Sequence, residues 1–208
     1  MSKKAQKFWD RFAARYAKSP VSDQATYEKK LKITRAYFSP ESKVLEIGCG
    51  TGSTAIAHAP FVGHIHATDI SPKMIEIAKA KAGGVGNISF EAVGIDDINL
   101  PEAGYDVVLA LNILHLMPNM EEVVAQMARL LRPGGVFVSS TACMGGGAKL
   151  LKLVLPAGKA LGLLPPVRFF DERTLLAAHA KTGLKIEQRW QKTPKSALFL
   201  VAKKAGPA

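Results

Sequence analysis

The spacing of apolar positions changes near residue 43. Before it, Phe8, Trp9, Phe12 and Tyr16 recur three and four apart, and Tyr27, Leu31, Thr34 and Phe38 repeat that spacing. Both runs predict amphipathic helix within residues 4–38. Ser19-Pro20 separates the two helices and Ser39-Pro40 ends the second, because a proline ring disfavours helical backbone in the residue before it. From Val44 onward the runs are short and β-branched or apolar: VLEIG (44–48), HIHATDI (64–70), ISFEAV (88–93), YDVVLALN (105–112) and GVFVSST (135–141). PKMIEIAKAKA and NMEEVVAQMARLLR, with helical spacing, lie between them. The alternation, with strands such as VVLAL apolar on both faces, predicts a doubly wound α/β fold around a mostly parallel sheet. LLRPGG, residues 130–135, is expected to close a helix and turn sharply into the next strand. Further on, DERTLLAAHAKTG reads as a last helix, and LKIEQRW and ALFLVAKK as an antiparallel strand pair. A single domain is expected, with a helical cap at 1–43, a core at 44–141, a variable apolar and basic insertion at 142–170, and the last helix and strands at 171–208.

Composition narrows the classes. With 208 residues, 48% hydrophobic and 22% charged, the chain is neither disordered nor fibrous, and it is long enough for one substantial core. Cys49 and Cys143 build no disulfide framework, and the opening residues lack the apolar run of a signal peptide, so a cytoplasmic location is expected. No run of about 18 apolar residues occurs, because Lys149, Lys152 and Lys159 interrupt the most lipophilic stretch. The net charge of +11 is uneven: +7 over residues 1–43, −5 over 44–142 and +9 over 143–208. A positive field on the flanks around an acidic centre leaves nucleic acid a possible but not favoured partner. The sequence leaves the oligomeric state open.

The chemistry concentrates in VLEIGCGTGS, where a buried strand delivers Gly48, Gly50 and Gly52 just before a helical segment. Glycines permit a tight turn that presses backbone amides toward a ligand, and a helix start adds positive partial charge. Neither the dinucleotide fingerprint, which needs glycine where Ser53 stands, nor the phosphate-binding lysine loop is present. Asp69 ends the next strand 21 residues beyond Gly48, near the ~20-residue offset at which a carboxylate reaches a ribose diol. Its alternative role is to cap the following helix. The five histidines show no metal-ligand spacing, and no metal is expected.

These segments, with FEAVGIDDINLP, YDVVLALNILHLM and LLRPGGVFV, are similar in order and spacing to class I S-adenosylmethionine-dependent methyltransferases of the small-molecule type. The resemblance covers residues 8–141 and resumes at FFDERTLLAAHAKTGLKIEQRW. It implies a Rossmann-like, seven-stranded sheet with its last strand antiparallel, binding S-adenosylmethionine and releasing S-adenosylhomocysteine. Carried over by position, Glu46 and the loop of Gly48, Gly50 and Gly52 would meet the methionine end. Asp69 would hold the ribose, and Ile70 would pack on the adenine. Ile95 and Asp96 would meet the adenine edge, with Asp97 an adjacent rival, and Asn112 would lie beside the methionine. Where the family often has an acidic residue, this chain has Gly94. The aromatic N-terminal segment would fold over the cofactor, with Tyr16 in that role.

Methyl transfer from a sulfonium needs alignment and exclusion of water more than a dedicated base. His115, beyond Asn112 at the expected pocket mouth, is the candidate base. The leucine-rich stretch 142–168 with its three lysines points to a small, lipophilic acceptor. It also has the composition of a basic amphipathic segment that lies on an anionic membrane surface. Two other readings stand beside this one: a nucleic-acid methyltransferase, and a non-catalytic module that binds S-adenosylmethionine.

Overall fold

The computed structural model describes residues 3–143, 167–194 and 196–206. The helical cap forms as α1 (Lys3–Lys18) and α2 (Gln24–Arg35). Asp23 opens α2 by accepting the Thr26 amide at 3.1 Å and the Thr26 hydroxyl at 2.8 Å, which satisfies one orphan donor of the helix start.

Seven strands follow among the described residues: β1 (Lys43–Ile47), β2 (His64–Asp69), β3 (Ile88–Ala92), β4 (Tyr105–Leu111), β5 (Leu131–Thr141), β6 (Leu184–Trp190) and β7 (Leu198–Lys204). They form one sheet in the order β3-β2-β1-β4-β5-β7-β6. Pairing is parallel from β3 through β5, while β7 runs antiparallel to both β5 and β6. The intervening helices are α3 (Ser53–His58), α4 (Pro72–Ala82), α5 (Met120–Leu130) and α6 (Glu172–Lys181).

The continuously apolar strands have the expected cause. Alternate residues of β1, β4 and β5 enter two separate cores. Val44, Leu109 and Val138 pack with Ala55 on one side of the sheet, and Leu45, Val108 and Phe137 pack with Val124 and Leu175 on the other. Edge strand β3 is half-exposed, matching its mixed ISFEA sequence.

As expected, α5 closes at Leu130, but the next strand starts at once rather than after a turn through the glycines. Leu131 already pairs with Tyr105, and pairing resumes with Val136 opposite Val107, so the intervening residues bulge from a longer strand. Leu131 is fully buried, which holds it in the sheet, and Gly134 absorbs the kink at φ +78°.

Strand order reverses between β1 and β4, since β1 is followed by β2 on one side while β4 lies on the other. Their carboxyl ends therefore splay loops apart and leave a crevice there. Among the described residues no helix is long and apolar enough to cross a membrane. Residues 144–166, with all the leucines and all three lysines of the expected acceptor cover, lie outside the described residues.

Candidate active site

The loop after β1 turns through three left-handed glycines, Gly48 (φ +65°), Gly50 (φ +55°) and Gly52 (φ +74°). Space as well as dihedral selects two of them. A Cβ on Gly48 would come within 2.7 Å of Ile113, and one on Gly52 within 2.9 Å of Ala78 and Phe90. The loop amides, expected to face a ligand, are mostly used internally: Cys49 donates to the Thr68 carbonyl, Gly52 to the Cys49 carbonyl, and Gly50 to Asp69 Oδ2 at 3.0 Å. The loop thus supplies shape more than donors. The helix behind it, α3, is only 6 residues long.

Asp69 Oδ1 accepts the Ser71 amide at 2.9 Å, so the carboxylate braces the glycine loop and closes a turn in front of α4. The helix cap itself is Ser71, whose Oγ accepts the Met74 amide and donates to Asp10 Oδ1 at 2.6 Å. That bond ties α1 to the start of α4. Burial raises the pKa of Asp69, the Ser71 and Gly50 amides pull it back, and Asp10 adds to the rise. Glu46 is 3% exposed, and its Oε2 has no hydrogen-bond partner among the described residues. Desolvation, then the charge of Asp69, pushes its pKa up to about 8. Burial also raises the Cys49 thiol, which removes it as a nucleophile.

Of the expected residues, Tyr16, Gly48, Gly50, Asp69, Ile70, Ile95 and Asn112 line one cleft at the ends of β1 and β4. Trp9 joins Tyr16 in its α1 wall, and Met74, Leu116 and Met117 add apolar surface. Tyr16 is 53% exposed, and its ring lies 3.6 Å from where a Cβ on Gly50 would stand. Gly52 and Glu46 support the cleft from behind without lining it. Asp96 and Asp97 do not line it either: both are exposed, Asp96 accepts from Asn119 at 3.4 Å, and Asp97 Oδ2 lies 3.1 Å from a Cβ placed on Gly94. His115, expected at the pocket mouth, sits in a 3-10 turn (Leu114–Leu116) and lines neither this cleft nor its neighbour. Burial lowers its pKa.

A second chamber, unforeseen in the sequence, adjoins the first. Leu111 and Asn112 line both. Its walls come from α2 (Tyr27, Lys30, Leu31), from Thr54 and from Ser140 on β5. Asn112 turns the chain between the two chambers at φ +58°, a backbone shape asparagine tolerates better than most residues, and its amide donates to the Ser140 carbonyl at 2.7 Å.

The sequence matches the family profile described as "Methyltransferase domain" over residues 44–135. It is 33% identical over 114 residues to the highly reducing polyketide synthase easB of Emericella nidulans, covering 49% of this chain and 4% of that protein. It is 31% identical over 153 residues to the ubiquinone biosynthesis O-methyltransferase of Thiobacillus denitrificans, covering 70% of this chain and 66% of the relative. The chain thus spans less than two thirds of these relatives' own lengths. The fold is also that of geranyl diphosphate C-methyltransferase from Streptomyces coelicolor, solved with magnesium, geranyl diphosphate and S-adenosyl-L-homocysteine. There the TM-score is 0.73 at 14% identity, over 87% of this chain and 77% of that one.

Proposed function

As the chain belongs to the class I S-adenosylmethionine-dependent methyltransferases, we propose that it binds S-adenosylmethionine in the cleft between β1 and β4 and catalyses transfer of its methyl group to a small organic acceptor. The observation that carries this reading is the convergence of Asp69, the Gly48–Gly50 turn, Asn112 and the aromatic wall of α1 on one cleft.

The residues suit the cofactor. The Asp69 carboxylate, which lines the cleft, gives the site acceptor capacity for a ligand rich in hydroxyl donors. Asp69 keeps free lone pairs beyond its two amide bonds and would hold the ribose hydroxyls. Ile70 and Ile95 would flank the adenine, Asn112 and the Gly48–Gly50 turn would lie against the methionine portion, and Tyr16 would close over it. When bound, S-adenosylmethionine supplies a methyl group on a positively charged sulfur, which is left as a neutral thioether. The protein's part is to align the acceptor and keep water out, and Met74, Leu116 and Met117 suit the second task. His115 lines neither chamber and is left out of the proposal.

The acceptor class rests on relatives named for ubiquinone biosynthesis and geranyl diphosphate methylation, both small molecules.

Titration calorimetry with S-adenosylmethionine and S-adenosylhomocysteine, with NAD as control, tests the site. The parent is expected to bind both sulfur ligands but not NAD. Asp69→Ala should weaken them roughly 10- to 100-fold, the scale of losing a charged hydrogen-bond acceptor. Binding of neither ligand by the parent, or undiminished binding by the variant, would overturn the assignment.

A further inference from the structure

Lys30 lines the second chamber from α2 and takes no part in the first cleft. Its Nζ donates to Ser140 Oγ at 2.8 Å and lies 5.9 Å from the centre of the Phe199 ring. An ammonium carries three donors, so others remain for a ligand. Asp23, the carboxylate on the same chamber wall, accepts from Lys192 at 2.6 Å and from Thr26. Lys30 is therefore left without an ion-pair partner among the described residues.

A half-buried cation with no counter-ion is poorly compensated, and desolvation already lowers the Lys30 pKa while Asp23 opposes the shift. An anionic ligand group would relieve that cost. The position is also telling, because Ser140, the hydroxyl that holds Lys30, accepts the Asn112 amide through its carbonyl, and Asn112 forms the edge common to both chambers. The remaining walls include apolar and hydroxyl-bearing residues, Leu31, Leu111, and Tyr27 with Thr54, whose hydroxyls lie 3.4 Å apart, together with His58, whose pKa burial lowers to about 3 so that its ring stays neutral. One cation in such a chamber matches a small organic molecule with one negative oxygen.

We propose that the second chamber is the acceptor site and that Lys30 binds an anionic oxygen of the acceptor, such as a carboxylate or enolate. The inference rests on reading the first cleft as the cofactor site. It makes Lys30 a specificity-determining residue: an acceptor bearing the anion is held beside Asn112, and its neutral analogue is not.

Protein carrying 13C at the lysine ε position is titrated with benzoate and with acetoacetate, using benzamide as the neutral control, with and without S-adenosylhomocysteine. The Lys30 resonance, identified by its loss in Lys30→Met, should shift saturably with at least one anion and not with benzamide. Lys30→Met should reduce anion affinity roughly 10- to 100-fold, leaving the melting temperature and S-adenosylhomocysteine affinity unchanged. Lys30→Gln serves if the methionine variant does not fold. A parent that binds neither anion, benzamide matching the anions, or variants that bind the anions as tightly as the parent would each overturn the proposal. Failure of the parent to bind S-adenosylhomocysteine would instead sink the cofactor reading, and the titrations without it still report on Lys30.

Discussion

Glu46 gives the site a dependence on pH. Its carboxyl is buried on a central strand with a pKa near 8, against about 4.5 when free. Between those values the native state keeps a proton that the unfolded chain has released, so the contribution favours folding below about pH 4.5 and is lost as pH rises through 8. Glu46→Gln, neutral at every pH, should flatten this dependence. Urea unfolding at pH 5, 7 and 9 is expected to show the variant gaining on the parent, on the order of a few kcal/mol across the window. Parallel curves would contradict it. At this scale the sequence located the residues that follow one another along strands and turns: Gly48, Gly50, Asp69 and Asn112 all reach one cleft. It was silent on Lys30 and Ser140, which are 110 positions apart and meet only through the fold.

Helix α1 is tied to the start of α4 by the bond from the Ser71 hydroxyl to Asp10 at 2.6 Å. Since α1 carries Trp9 and Tyr16 into the cleft wall, that bond positions the aromatic cover. Asp10→Ala should cost about 1 kcal/mol of stability, the usual worth of one such bond. Amide exchange across α1 should rise, and S-adenosylmethionine affinity should fall without loss of the sheet's protection. Unchanged exchange in α1 would show that its apolar face alone holds it. Element positions were legible because period, prolines and caps are local: α4 begins at Pro72 and ends at Ala82, as its sequence implied. The stop of α5 at Leu130 was legible as well, but the start of β5 was placed too late, at Gly135, because Arg-Pro-Gly-Gly resembles a loop, while burial of Leu131 against β4 begins the strand there.

Across the whole molecule, one sheet joins the cofactor half to the half built by β5, β7 and β6, and β4 lies at the junction. Leu109 is fully buried there, paired with Glu46 on one side and Val138 on the other. Leu109→Ala should destabilise the protein by about 2–5 kcal/mol in urea unfolding, with near- and far-ultraviolet circular dichroism giving coincident transitions. Separate transitions would mean that the halves unfold independently. The amino-acid sequence by itself determined the α/β class, the strand and helix order and the glycine turn, because hydrophobic period and backbone permissiveness act over a few residues. Only the tertiary structure decided which carboxylates line the cleft, that the loop amides bond inward, and that a second chamber opens beside Asn112 with Lys30 in its wall. Those outcomes depend on how distant segments pack and which polar groups lose water together, and no local pattern encodes that.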